Sequence, residues 1–316
     1  MNLQTHIPLS KETRHPIDYN SKVLLLGSCF SENIGEKFKY FKFQSNQNPF
    51  GILFHPKAIE TFITNAINLK EYTEKDVFFL NERWHSFDAH SQMSSTSKNN
   101  LLESLNEAIL QTNQQIQEAT HIIITLGTSW IYRFIESDLF VANCHKVRQK
   151  KFLKELLSVE EITESLASII ALIRNINPNV NFLFTVSPVR HLKDGFTENQ
   201  LSKSHLISAI HEVIEPREKV FYFPSYEIMM DELRDYRFYN EDMIHPSKTA
   251  VNYIWERFSE NWISESSNKT MNKVDSIQKR LDHKSFNPVS VEHQKLLLSI
   301  DKDIEALQKT HPTILF

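Results

Sequence analysis

Two stretches of this chain carry side chains that could make and break bonds. The run "KVLLLGSCFSEN" at 22–33 ends an apolar segment in Gly27, Ser28 and Cys29. Two small nucleophile-capable side chains thus stand where a buried strand turns toward its next helix, whose first amides favour negative charge. Far downstream, "YNEDMIHPSKTAVNYIWERF" places Asp242 three residues before His245, ahead of a helix opened by Pro246. An aspartate at that spacing can accept the imidazole Nδ1 proton, fix the tautomer and leave Nε2 as a base, the division of roles in an acid–base–nucleophile triad. Both Ser28 and Cys29 are candidates for the nucleophile. The bland alternatives are a small buried cysteine closing a strand and an aspartate capping a helix.

Other residues could line or steer a site. Arg190 and His191 follow a strand end across Pro188, where a guanidinium fork binds a carboxylate or phosphate, or an ion pair holds the loop. Trp84 and Trp130 suit a substrate cleft or a buried anchor. Lys146, Arg148, Lys150, Lys151 and Lys154 form a basic cluster that could steer an anionic substrate or simply be solvated. His85, Asp88 and His90 in "WHSFDAH" fit no common zinc spacing, so no metal is expected. Cys144 and His145 read as loop packing or pocket wall.

Composition narrows the classes. The chain has five glycines and neither GxGxxG nor GxxxxGK[ST], so glycine-built nucleotide cradles are excluded and no cofactor is expected. A net charge of −4 over 316 residues gives no whole-chain field for nucleic acid or anionic membrane. No window approaches eighteen unbroken apolar residues, and the first residues lack the apolar core of a signal peptide. Two cysteines are too few for a disulfide framework. A soluble, cytoplasmic protein with no nucleic-acid or membrane partner is the expectation.

The elements that must position these residues follow from periodicity. Apolar runs at 22–27, 121–127 and 180–188, with a shorter one at 219–225, read as strands buried on both faces. Helical period appears at 31–42, 56–69, 98–118, 159–175 and 198–214, and again at 289–308 after a polar stretch. Strands alternating with helices predict an α/β domain with a central parallel sheet covered on both faces, whose ligands sit outside the carboxyl ends of the strands. Gly27, Gly127 and the segment 187–191 fall at those ends. Residues 76–97 read as an inserted strand pair or ordered loop, and 128–158 as a longer connection. A domain over 1–262 and a helical extension over 263–316 complete the expected organisation.

The pattern resembles the GDSL or SGNH hydrolases, and "GSCFSENIG" is similar to the turn that names the GSCFA family, grouped by resemblance with that fold. "ANCHK", "SPVRH", "FYFPSYEIMMDELRD" and "DMIHPS" add to the likeness, which spans about residues 22–260. The resemblance implies a three-layer α/β/α flavodoxin-like sandwich. It places Cys29 at the nucleophilic serine's position and Ser28 at the aspartate of the turn, and it carries Asp242 and His245 over unchanged. It further implies an oxyanion site from the Cys29 amide, Gly51, Gly127 and Ser129, with Ser129 in place of an asparagine. A thiolate beside an imidazolium at a helix N-terminus should have its pKa depressed from ~8.5 to ~4–7. The implied function is a hydrolase or acyltransferase on a small-molecule or glycan-linked acyl ester, with Arg190, His191 and Trp130 binding substrate. A ligand-binding module keeping a degenerate cleft is the alternative.

Overall fold

The computed structural model describes residues 5–283, 286–287 and 289–316. In chain order the strands are β1 (Lys22–Gly27), β2 (Gln44–Gln47), β3 (Phe78–Leu80), β4 (Arg83–His85), β5 (His121–Leu126), β6 (Trp130–Phe134), β7 (Leu139–Val141), β8 (Phe152–Leu156), β9 (Asn181–Val186) and β10 (Val220–Tyr222). The helices are α1 (Cys29–Tyr40), α2 (Pro56–Ile67), α3 (Lys98–Glu118), α4 (Val159–Ile176), α5 (Phe196–Val213), α6 (Ser225–Glu227, prolonged by a π-helical turn at Ile228–Leu233), α7 (Lys248–Trp262), α8 (Glu265–Leu281) and α9 (Val291–Thr310).

Five strands form the central sheet in the order β10-β9-β5-β1-β2, every pair parallel. Numbered by occurrence within the sheet this is 5-4-3-1-2, the flavodoxin-like doubly wound order. Strand alternation sorts the core into two faces. Leu24 and Leu26 of β1, with Ile122 and Ile124 of β5, join the cluster packed by α2, α3, α4 and α5. Val23, Leu25 and Ile123 join the cluster packed by α1, α7, α8 and α9. All helices but α5 and α6 enter through a side-chain cap, such as Ser28 for α1, Ser247 for α7 and a capping box of Ser158 with Glu161 for α4, which satisfies orphan first-turn amides.

The expected strands and the three-layer α/β fold are present, and the 76–97 segment contains the antiparallel β3–β4 hairpin. Three elements depart from expectation. Polar β2, "QSNQ", is a half-buried edge strand, so it shows no apolar signal. The 128–158 connection is an antiparallel sheet in the order β7-β6-β8. The polar stretch after Trp262 is α8, which buries Ser267, Thr270, Met271, Val274 and Ile277. These residues are spaced for one helical face but are partly polar. Among the described residues no helix is long and apolar enough to cross a membrane.

Candidate functional site

The site is built at the carboxyl ends of β1, β5 and β9, whose register aligns Gly27, Thr125 and Thr185 in one row. Gly27 has φ +127°, and a Cβ there would lie 2.0 Å from the Thr125 carbonyl oxygen, so only glycine lets β1 leave the sheet at this point. Ser28 follows as the α1 N-cap, fully buried, its Oγ accepting from Phe30 N at 3.3 Å. Ser31 Oγ ties the first turn to Leu26 O and Thr125 Oγ1, each at 2.9 Å. Cys29 is therefore the first helical residue and only partly buried. The depressed thiol expected from its position is not found. Burial pushes it up to about 11, Glu32 adds to the rise, and Lys203 with the helix amides of Cys29 and Phe30 opposes it without prevailing. Desolvation of the anion outweighs one helix terminus.

Asp242 and His245 do meet. His245 Nδ1 donates to Asp242 Oδ2 at 2.6 Å, while Oδ1 accepts from the amides of Ile244 (2.9 Å) and His245 (3.0 Å). The His245 amide, followed by its ring and the Ile244 amide, holds the Asp242 carboxyl down to about 2. The loop is closed by Asn240 N donating to His245 O at 2.8 Å and is joined to the end of β9 by Arg190 N donating to Ile244 O at 3.2 Å. Both side chains are 45% exposed. Among the described residues no hydrogen bond joins the Cys29 sulfur to the His245 ring.

His191 stands near both. A Cβ on Gly127 would meet His191 Nε2 at 3.2 Å and Ser28 Cβ at 3.3 Å, so the ring and the turn both pack against this glycine. Its Nε2 is buried without a hydrogen-bond partner. Burial, then the charges of Lys203 and His245, push its pKa down to about 3, which keeps the imidazole neutral. Arg190 lies over the rings of Phe196 (5.3 Å) and Tyr239 (5.9 Å).

The residues assigned to the oxyanion site are already engaged. The Gly51 amide donates to Asn48 O at 2.7 Å and the Gly127 amide to Phe54 O at 2.8 Å. Ser129 Oγ donates to Ser202 O at 3.2 Å. Two groups not singled out in the sequence lie at the same strand ends. Asn48 is buried, its Oδ1 accepting from Gly27 N at 2.9 Å while its Nδ2 has no partner. Lys203 is fully buried on α5, its Nζ donating to Gly127 O and Ser187 O at 2.7 Å each. A signal existed for the lysine: it shares the buried stripe of Asn199, Ser202, Leu206, Ala209 and Ile210, a face that should exclude charge.

A cleft of about 540 Å³ opens at Thr128 and His191, and Cys29, Asp242 and His245 are not among the residues that line it. Trp130, Tyr132 and Phe152 of the inserted sheet, Cys144, His145 and Lys146, and the site's own Thr128 and His191 line it. Of the basic cluster, Lys154 pairs with Asp194 at 2.6 Å and lies 4.4 Å over the Trp130 ring. The "WHSFDAH" residues separate into structural roles: His85 binds Ser94 Oγ and Leu80 O, Asp88 accepts from Lys70 and Tyr72, and His90 caps a short turn. Among the described residues no group of three or more His, Cys, Asp or Glu side chains could hold a metal ion.

Comparison with known families gives two matches. The profile of the GSCFA family matches residues 22–258, and that of the GSCFA domain protein, C-terminal domain, matches residues 274–316. No curated protein matches the chain.

Proposed function

We propose, from the premise that the chain belongs to the GSCFA family, that it is an SGNH-like acyl hydrolase or acyltransferase using Cys29, His245 and Asp242. The observation that best supports this is the 2.6 Å contact from His245 Nδ1 to an Asp242 carboxylate whose other oxygen is saturated by two amides. A carboxylate so fixed selects one tautomer and leaves Nε2 to take a proton.

Cys29 Sγ attacks the acyl carbonyl carbon as its proton passes to His245 Nε2. The C–O bond then breaks, the leaving oxygen takes that proton, and a thioester remains on Cys29. Water gives a hydrolase; an acceptor hydroxyl gives a transferase. Because the resting thiol is protonated and makes no hydrogen bond to the ring, proton transfer accompanies attack, and the half-exposed 239–246 loop must bring Nε2 to the sulfur as substrate fills the gap. The Cys29 amide and the unpartnered Asn48 Nδ2 are the available oxyanion donors. A small-molecule or glycan-linked acyl group lies along the cleft against Trp130 and His191, with Arg190, the residue before His191, taking a polar group of the substrate, and the two free thiols suit the cytoplasm.

The test is turnover of p-nitrophenyl acyl esters, with mass spectrometry for an acyl adduct. Turnover and an adduct on Cys29 are expected in the wild type, with kcat/KM lower by about 10²–10⁴ in Asp242→Asn at unchanged thermal stability. Turnover that survives Cys29→Ala refutes the assignment, and fluorophosphonate labelling in that variant transfers it to Ser28. A second reading, a ligand-binding module, is favoured by the raised Cys29 thiol and by the engaged Gly51 and Ser129 donors. It is upheld if no ester turns over and no adduct forms.

A further inference from the structure

Arg190 takes no part in the proton transfers above, and its guanidinium is unspent. Arg133, Arg174, Arg257 and Arg280 are partly buried, and each finds a carboxylate. Arg190 is partly buried as well, yet among the described residues its guanidinium makes no ion pair and no hydrogen bond. A half-dehydrated cation without a counter-ion is costly, so its position calls for a reason. Two rings hold it instead, its Cζ lying 5.3 Å from the centre of Phe196 and 5.9 Å from that of Tyr239. Contact over aromatic rings engages the charge and leaves the N–H donors of the planar fork unused.

The backbone fixes where that fork stands. Arg190 N donates to Ile244 O at 3.2 Å, one residue before His245, and Tyr239 opens the same loop, bridged to Pro246. Next in the chain is His191, whose amide is held by Asn199 Oδ1 at 2.8 Å and whose ring packs on Gly127. Arg190 therefore belongs to the segment that joins the histidine loop to the strand-end turn. Its surroundings share its sign. Lys193 and Lys146 line the cleft without an ion pair, and the one carboxylate in that lining among the described residues, Asp194, is taken by Lys154 at 2.6 Å. A chain of net charge −4 thus gathers three uncompensated cations around the carboxyl ends of β5 and β9.

We propose that Arg190 recognises an anionic group on the substrate, a carboxylate or a phosphate, which its fork binds through two parallel N–H···O contacts. Lys193 and Lys146 supply the field that draws the anion in. This deepens the acyl reading, on which it rests for the reaction but not for the binding: the ester handled at Cys29 carries negative charge on its acyl or its leaving portion.

The test is a titration of the Arg190 Nε–H resonance in the full wild-type chain, followed by ¹H–¹⁵N correlation at constant ionic strength with inorganic phosphate, with glutarate and with chloride. A saturable shift with phosphate or glutarate that chloride does not reproduce is expected, and the more effective of the two names the group. A resonance that ignores both, or that all three anions move alike, overturns the proposal and leaves Arg190 as a holder of the loop. Turnover gives a second readout. The ratio of kcat/KM for p-nitrophenyl hemiglutarate over p-nitrophenyl butyrate should fall about ten- to a hundredfold in Arg190→Gln, and Arg190→Lys should restore it only in part, because an ammonium lacks the fork. An equal ratio in wild type and folded Arg190→Gln overturns the proposal where glutarate is the anion that binds. The acyl reading fails separately, since a wild type that turns over no ester while its Arg190 resonance still answers phosphate or glutarate leaves anion recognition standing.

Discussion

Burying Lys203 should make the stability of the whole fold depend on pH in a way one substitution removes. Burial drives its pKa from the ordinary 10.5 down to about 7. Between those values the unfolded chain keeps its ammonium proton and the folded chain has released it. Stability rises with pH wherever the unfolded state binds more protons, at up to ~1.4 kcal/mol per pH unit for one group. The penalty is therefore fully present below pH 7 and relieved progressively toward 10.5. Integrated from pH 7 to 9, the gain is about 2 kcal/mol, since the folded group is half-titrated at the lower limit. Above pH 9 the raised Cys29 thiol opposes this slope, so the window ends there. Urea unfolding at pH 7, 8 and 9 should show the wild type gaining about 2 kcal/mol relative to Lys203→Met. The two carbonyls stranded by methionine cost ~1–3 kcal/mol each, but that cost does not vary with pH and drops out of the slope. Parallel curves for the two proteins would refute the depressed ammonium, and with it the idea that desolvation dominates at the strand ends.

Two further outcomes follow from packing. Gly27→Ala places a Cβ 2.0 Å from a backbone oxygen at φ +127°, so the strain of ~1–3 kcal/mol for that conformation adds to a forced backbone shift, and denaturant unfolding should show a loss of at least ~3 kcal/mol; a loss below ~0.5 kcal/mol contradicts the geometry. Leu307 on α9 is 3% exposed in the cluster that also holds Leu25 and Phe258, and Leu307→Ala should cost about 2–5 kcal/mol in one cooperative transition; a separate early transition would show that the C-terminal helices fold on their own.

How much could be read beforehand depended on whether burial leaves an apolar trace. Strands β1, β5 and β9 are covered on both faces, so their sequences are continuous apolar runs and their order of appearance forecast the parallel sheet. Edge strand β2 contacts the core with neither face fully, and "QSNQ" carries no such trace. Helix α8 faces the core with serine and threonine beside Met271, Val274 and Ile277, which lowers its apolar contrast although its spacing is helical. The β6–β8 sheet was hidden by its own function as a wall: strand β8 turns Leu153 and Lys154 to solvent and only Phe152 inward, so charge at 146–154 outweighed alternation.

Within the site, groups that act through neighbours in the chain were legible and groups that act across the fold were not. Asp242 and His245 are three residues apart, and a single loop turn brings them to 2.6 Å. Lys203 reaches acceptors 76 and 16 residues earlier, and nothing in "QLSKSHLISAI" states that strand-end carbonyls lie beneath it. A lysine on an apolar stripe ordinarily runs its stem along the surface and keeps its charge in water. Here the stripe faces the carboxyl edge of the sheet, where carbonyl oxygens point out of the strands, and the ammonium ends inside. The same distinction explains the thiol. A helix N-terminus is visible in sequence and argues for a depressed pKa, whereas the burial that raises it, with the Glu32 charge adding to the rise, exists only in the folded packing. The resting state of Cys29 is thus decided first by burial and only then by its charged neighbours. Desolvation and the Glu32 charge together outweigh Lys203 and the amides of α1, so the fold holds the sulfur as the thiol where the helix start alone would forecast a thiolate.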